Sequence, residues 1–247
     1  MSNERRARLW GLVVEQGHGE PVAVAHVGAA AMFVTGVDGA AVTVMLSATP
    51  RETVYASDPT AVELEELTLT LGEGPGVDAV TDGPALAADL TSAQCAARWP
   101  AFAPAAVDAG AMAVFALPLQ VGGIRLGVMD LYRARPGPLR HDQLADALLL
   151  ADIACALLLD PVLDEHPHWH GREPELAGPQ HPEVHQATGM MIVQLEVSAA
   201  LALVRLRAYA YSHERRLREV AADVVARRLR FTPDTDDGDG HEDDDDS

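Results

Sequence analysis

The stretch from Val184 to Phe231 constrains the fold most, because positive charge and helical spacing coincide there. It holds eight of the eighteen arginines against four acidic residues, in a chain of formal net charge −19. Apolar residues recur along it at intervals of three to four positions, with breaks before Ser198 and between Ser212 and Arg216. The pattern predicts three short helices, which must pack as a bundle because each alone would be marginal in water.

Local signals place the ends of these helices. The first runs from Gln186 to Leu195. Ser198 is suited to cap the second, because its hydroxyl can accept a hydrogen bond from an amide of the first turn. The third starts at Leu217 and carries an apolar stripe that leaves several arginines facing water.

The same stretch resembles a known family at successive signature positions. These are Ala187-Thr188-Gly189-Met190, Ser198 with Ala202, Leu206-Arg207, and Leu217 with Val220-Ala221. They look like those of the ANTAR domain, a three-helix RNA-binding module of bacterial transcription antiterminators. That family commonly has lysine where this chain has Thr188, so the neighbouring arginines would have to compensate for the missing cation.

The resemblance and the charge together give a set of candidate RNA-binding residues. Arginine can contact phosphate and stack on unpaired bases of a hairpin loop, and tyrosine adds a stacking platform. Gly189 would let an RNA backbone approach closely. Arg207 and residues 215–218 are favoured over the terminal arginines at 227–230. The candidates are Gln186, Thr188, Gly189, Arg205, Arg207, Tyr211, Arg215, Arg216 and Arg218.

Residues 1–160 have the pattern of an α+β domain with an antiparallel sheet. Gly122-Gly123 between two apolar runs is a strong hairpin signal, and Asp58-Pro59 is typical of a helix start. A loop is expected at 71–76. Helices are expected at 9–14, 21–34, 58–67, 93–109 and 141–160, and strands at 39–47, 51–57, 84–90, 111–119 and 124–134.

Roughly residues 10–160 resemble a GAF domain of actinobacterial type. The resemblance rests on GVDGAAVTVML, YASD, LTLGEGPG, RWPAFAPAA, AVFALPLQVGGIRLGVMDLYRARPGPL and LADALLLADIA. GAF domains are sensory modules that bind small molecules between a sheet and a helical cover. Related sequences often have cysteine after Gly74-Pro75, where this chain has Gly76, which disfavours a thiol-based sensor.

The GAF resemblance implies a ligand pocket but no particular ligand, and no cofactor is assigned. Trp99 and Phe102 would belong to the helical cover, and Phe115, Leu117, Met129 and Leu131 to the sheet that faces it. An ordinary filled core is the alternative interpretation of the same six residues.

The remaining segments set the domain boundaries. Residues 161–182 form a linker rich in Pro, Gly and His, and its three alternating histidines, His166, His168 and His170, indicate a solvated linker rather than a metal site. The ANTAR-like domain occupies 183–231. Residues 232–247 are acidic and expected to be disordered, and we hypothesise that they compete with phosphate for the arginines.

Several classes of protein are disfavoured. Nucleophile motifs, metal-ligand spacings and lysine are all missing from the sequence, so an enzyme is not expected. Cys95 and Cys155 are expected to be buried free thiols. A signal peptide and a membrane span are not predicted, so a cytoplasmic protein is expected.

The sequence therefore predicts a two-domain regulator with a GAF-like sensor followed by an all-α ANTAR-like bundle that binds RNA hairpins to prevent transcription termination. A homodimer is expected, with the apolar face of the 141–160 helix as the candidate interface. Two alternatives stay open at this point. Three small basic helices can also form a helix-turn-helix that reads DNA, and the bundle can instead dock a protein partner under ligand control.

Overall fold

The computed structural model describes residues 2–45, 51–159 and 181–232. An N-terminal module, residues 2–159, is followed by a C-terminal bundle, residues 181–232. The helices of the module are α1 (Ser2–Gln16), α2 (Val24–Thr35), α3 (Pro59–Leu71), α4 (Pro75–Asp82), α5 (Ala93–Arg98), α6 (Phe102–Asp108) and α7 (His141–Leu158). Its strands are β1 (Gly39–Val44), β2 (Glu52–Ala56), β3 (Ala85–Ala87), β4 (Ala113–Val121) and β5 (Ile124–Arg133).

The five strands form one antiparallel sheet in the order β2-β1-β5-β4-β3. β4 and β5 make a hairpin in which Val121 lies opposite Ile124, and Gly122 has a φ of 59° in the turn. A positive φ at this position suits glycine because it has no Cβ. Both hairpins predicted from the sequence, β1–β2 and β4–β5, are confirmed.

Helices cover both faces of the sheet, because side chains alternate between faces along each strand. One core lies between the sheet and the α1, α2 and α7 layer, and includes Phe115, Leu117, Met129 and Leu131. The other lies beneath α3, α5 and α6, and includes Val114, Tyr132, Trp99 and Phe102. The N-terminal module is thus a three-layer structure with one main apolar core on each face of the sheet, and a smaller cluster packs α4 against the strands.

Helix α3 begins where the sequence predicts. The Asp58 carboxylate accepts hydrogen bonds from the amides of Thr60 (2.9 Å) and Ala61 (3.0 Å), and Pro59 occupies the first turn. The helix continues four residues past the expected end at Leu67 and closes at Gly72, whose φ is 68°. This longer helix brings Leu69 and Thr70 to the C-terminal bundle.

Two expectations for the region after α3 are wrong in detail. The predicted loop at 71–76 is shorter, because Gly74 already precedes α4, which begins at Pro75. The predicted helix at 93–109 is two helices, which separate at Trp99-Pro100. Proline disfavours helical backbone in the residue before it, and Trp99 has a φ of −133°.

The C-terminal bundle consists of α8 (Pro182–Leu195), α9 (Ala199–Ser212) and α10 (Leu217–Val225). Ser198 caps α9 as predicted, accepting a hydrogen bond from the Leu201 amide at 3.2 Å. Across residues 2–45, 51–159 and 181–232, no single helix is long and apolar enough to cross a membrane; α8 and α9, bent by 109°, meet that test only as a pair. The fold class is confirmed as α+β with an antiparallel sheet followed by a three-helix bundle.

Helix α7 buries most of the apolar face that was expected to form a dimer interface. It packs against α2 and β4, and Ala147, Leu150, Ala151 and Ala154 are buried there. The helix is apolar because it lies between the helical layer and the sheet. The exposed apolar side chains of this layer are Trp10 and Val14 on α1, Phe33 on α2, Leu148 on α7 and Leu159 just after it.

Candidate nucleic-acid interface

An open groove lies between α8 and α10 on the outer side of the bundle. Its volume is about 740 Å³. The residues that line it recur every three to four positions along α8 and continue past the end of α10, where Arg227 has a φ of 58°. They are Gln186, Gly189, Met190, Val193, Gln194, Val224, Arg227, Leu229 and Arg230. We call this surface the α8–α10 groove.

The α8–α10 groove combines the chemistry that single-stranded nucleic acid needs. Arg227 and Arg230 are exposed at one rim, and Val193, with 81% of its surface exposed, offers an apolar wall. Gln186 and Gln194 supply amide donors and acceptors. A Cβ added to Gly189 would meet no atom within 4 Å, so this glycine faces open space and is not required for packing.

Thr188 faces away from this groove. It is 8% exposed, and its hydroxyl donates to the Val184 carbonyl one turn earlier at 2.7 Å. Its buried neighbours Ala187 and Met191 belong to the core of the bundle. The side chain at this position is therefore not available to phosphate in this structure.

A single carboxylate holds two of the arginines. Asp223 accepts from Arg215 and from Arg228, each at 2.7 Å. The hydrogen bond from Arg215 is the largest cause that holds the pKa of Asp223 below its usual value, followed by the one from Arg228. Arg215, one of the favoured RNA-binding candidates, is thus partly neutralised within its own bundle.

Two further candidates point toward the N-terminal module. The Arg207 guanidinium donates from Nε to the Leu69 carbonyl at 2.9 Å, and Arg216 donates from Nη2 to the Glu63 carboxylate at 2.6 Å. Burial, and then the positive charge of Arg51, lower the pKa of Arg207. Arg218, by contrast, is exposed at the start of α10.

The aromatic candidates differ in availability. Tyr211 is 63% exposed and can offer its ring to a base. Tyr209 is stacked on His213 with a centroid distance of 3.9 Å, and Phe231 meets it edge-on at 5.5 Å. Arg205 is half-buried on α9. The sequence ranked Arg227 and Arg230 below the other candidate arginines, because nothing local shows that the chain turns back at the end of α10.

The six predicted ligand residues do not come together. Trp99 and Phe102 lie in the core under α3, α5 and α6, whereas Phe115, Leu117, Met129 and Leu131 lie on the opposite face of the sheet. The expectation that the two sets face each other is wrong, because odd-numbered residues of β4 point to the α2 and α7 side. All six are at most 3% exposed and fill the two cores.

A buried charged cluster that the sequence analysis missed lies on the same face as Trp99. Arg51 donates to the Gly76 carbonyl at 2.8 Å, and its Nη2 lies 3.6 Å from carboxylate oxygens of both Glu65 and Asp130. Neither carboxylate oxygen of Asp130 has a hydrogen-bond partner. The available signal was an acid within the apolar run of β5.

Desolvation dominates the ionisation of this cluster. Burial raises the pKa of Asp130 well above its ordinary value, the charge of Glu65 raises it further, and Arg51 offsets part of the rise. Ionisable groups whose pKa is strongly shifted by burial and by a charged neighbour are enriched at functional sites. In the described part of the chain, no three His, Cys, Asp or Glu side chains are placed to share a metal ion. His166, His168 and His170 lie outside the described residues.

Residues 179–225 match the family model of the ANTAR domain. The match covers α8, α9 and α10 and reaches both walls of the α8–α10 groove. It agrees with the resemblance seen in the sequence. From here on, the C-terminal bundle is called the ANTAR domain.

Solved structures give weaker likenesses. A domain of a two-component sensor histidine kinase protein from Sinorhizobium meliloti is 17% identical, with a TM-score of 0.46, covering 56% of this chain and 90% of that one. The GAF domain of the cyanobacteriochrome TePixJ is 14% identical, with a TM-score of 0.40, and the match covers 53% of this chain and 84% of that one. Escherichia coli SdiA is 14% identical, with a TM-score of 0.46, and the match covers 92% of this chain and 99% of that one. Likeness of this degree says nothing about ligand or activity. No curated protein matches this chain.

Proposed function

We propose that this protein is a cytoplasmic, non-enzymatic regulator that binds RNA hairpins through its ANTAR domain and thereby prevents transcription termination. The observation that carries the proposal is the ANTAR match over residues 179–225, which include six of the nine residues that line the α8–α10 groove. Because the chain has a net charge of −19, most of the molecule repels RNA. RNA binding therefore needs a locally basic surface, and the groove provides one.

The groove suggests how a hairpin loop is held. Arg227 and Arg230 contact phosphates, and the width beside Gly189 admits the nucleotide backbone. Unstacked bases lie on Met190 and Val193, which tolerate any base face. Gln186 and Gln194 contact base edges, where hydrogen bonds select sequence.

The N-terminal module is proposed to be GAF-like and to sense a small molecule. The α3–α6 side of the sheet supports this, because the buried charged cluster of Arg51, Glu65 and Asp130 lies there and several of its polar atoms make no hydrogen bond. The protein is proposed to act as a homodimer that engages two adjacent hairpins. Trp10, Val14 and Phe33, exposed on α1 and α2, replace the α7 face as the candidate contact.

A salt titration of binding tests the proposal. The probes are an RNA with two adjacent short hairpins, the same RNA with one hairpin deleted, and duplex DNA of equal length. We expect the two-hairpin RNA to bind most tightly, and its affinity to fall steeply with salt as counterions are released. Preference for DNA would indicate a helix-turn-helix reader, and the absence of binding at low salt would indicate a protein partner.

The double variant Arg227→Gln/Arg230→Gln tests the groove itself. If each arginine contacts one phosphate, the slope of log affinity against log salt should fall by about 1.4–1.8 in total, at about 0.7–0.9 per contact. The matched control is Arg125→Gln/Arg135→Gln, which removes two exposed arginines from the N-terminal module. Equal slopes for the two variants would place the RNA elsewhere.

A further inference from the structure

The ANTAR domain is docked on helix α3 of the N-terminal module through two of its arginines. Arg207 donates to the Leu69 carbonyl, and Arg216 forms an ion pair with Glu63. Beside them, the Leu217 amide donates to the Thr70 hydroxyl at 3.3 Å. We call Arg207, Arg216 and Leu217 the docked face.

Helix α3 presents negative charge to this face in the way that a phosphate backbone does. Leu69 lies in the last turn of α3, where carbonyls have no partner within the helix and carry the negative end of its dipole. Gly72 lets Arg207 come close, since a Cβ there would lie 2.9 Å from its Nη1. Glu63, which lies earlier on the same helix, adds a full negative charge.

The polar contacts between the docked face and α3 are weak enough to be broken. Arg216 and Glu63 are 44% and 32% exposed, and ion pairs of that exposure are weak and screened by salt. The burial of Arg207 next to the like charge of Arg51 disfavours its charged form. An open groove of about 470 Å³, lined by Leu67, Pro104 and Tyr211 among others, remains beside the docked face. Phosphate oxygens would satisfy the same two guanidinium groups.

We propose that α3 is an intramolecular mimic of RNA phosphate, so that hairpin RNA and the N-terminal module compete for Arg207 and Arg216. This inference rests on the proposed function and adds its control. In the docked state RNA reaches the α8–α10 groove but does not replace α3 as the partner of Arg207 and Arg216. Release of α3 adds two phosphate contacts on the same domain.

The same helix connects docking to the interior of the N-terminal module. Glu65, on its inner side, accepts from the Thr43 hydroxyl at 2.7 Å and lies 3.6 Å from Arg51. Glu66, on the side of the ANTAR domain, lies 3.6 Å from the imidazole of His181. A ligand that moved Arg51 or Glu65 would therefore move the surface on which the ANTAR domain rests.

The test uses the full chain carrying Glu63→Gln/Thr70→Val, which removes the ion pair and the hydroxyl acceptor without changing any arginine. Against the two-hairpin RNA, we expect affinity at least about fivefold above that of the wild type, in the range of ordinary coupling between sites. In the wild-type chain, saturating RNA should speed hydrogen exchange at the Leu217 amide.

The matched control is Glu15→Gln/Thr81→Val, which makes the same changes at exposed positions of α1 and α4. It should bind RNA as the wild type does. Equal affinity of the wild type and Glu63→Gln/Thr70→Val would overturn the inference while leaving RNA binding intact, and so would an equal gain in the control, which would show a general charge effect.

Two further results complete the test. Absence of RNA binding in every chain would overturn the proposed function and this inference with it. Circular dichroism melting establishes that each variant is folded. If Glu63→Gln/Thr70→Val is not, Glu63→Gln alone is compared with Glu15→Gln under the same criteria, because a surface ion pair contributes little to folding.

Discussion

At the scale of single residues, Gly189 is a glycine at a position where the packing leaves room for a side chain. It lies inside α8 and faces the α8–α10 groove, with open space where a Cβ would stand. Glycine within a helix is less stable than alanine by about 0.5–1 kcal/mol. Packing does not account for its presence, whereas the proposed approach of an RNA backbone to the groove would.

We therefore expect Gly189→Ala to stabilise the ANTAR domain by about 0.5–1 kcal/mol and to weaken RNA binding. Gly11→Ala is the control, because Gly11 also lies within a helix with open space around it. It should give a similar gain in thermal stability and leave RNA affinity unchanged. A Gly189→Ala chain that binds RNA as tightly as Gly11→Ala would show that RNA does not approach that part of α8.

Asp130 makes the stability of the N-terminal module depend on pH. Its pKa is raised above the ordinary value of 3.8 on folding, so the folded state binds the proton more tightly than the unfolded state. This contribution is complete below pH 3.8 and is lost as pH rises through the folded pKa. Asparagine has no proton to lose and removes the dependence.

We expect Asp130→Asn to lose less stability than the wild type as pH is raised above 3.8, as measured by urea unfolding. Asp82→Asn, at an exposed position at the end of α4, should follow the wild-type curve. Parallel curves for Asp130→Asn and the wild type would mean that Arg51 compensates the buried carboxylate fully.

At the scale of elements, α3 serves two cores at once. Leu64, 6% exposed, packs with Trp99 and Phe102 in the N-terminal module. Leu69, 2% exposed, belongs instead to the core of the ANTAR domain, together with Leu206 and Leu217. The five-residue offset turns the two leucines to different sides of one helix.

Truncating either leucine should cost about 2–5 kcal/mol through the cavity left behind, but in different places. We expect Leu69→Ala to raise hydrogen exchange in α8, α9 and α10 while β4 and β5 stay protected. Leu64→Ala should raise exchange in the sheet first. The same exchange pattern for both variants would contradict the division of α3 between two cores.

At the scale of the whole molecule, the sequence predicted features that depend on neighbouring residues, and it did not predict contacts between distant parts of the chain. The Asp58 and Ser198 caps and the Gly122 turn are decided within a few residues, so they could be predicted. The opposite placement of Phe102 and Phe115 depends on strand pairing, since a shift of one residue reverses the faces. The contact of Arg207 with Leu69 spans 138 positions, and no local pattern encodes it.

Leu69 also decides how freely the two parts of this chain can be exchanged with those of other proteins. A graft that joined residues 181–232 to a foreign input module would leave an unfilled socket among Leu206, Leu217 and Val220. The foreign module would have to present an apolar side chain at the position of Leu69. In this chain, that position lies five residues after Leu64, which packs in the core of the N-terminal module. Compatibility between the two halves therefore depends on whether this one helix can pack into both cores.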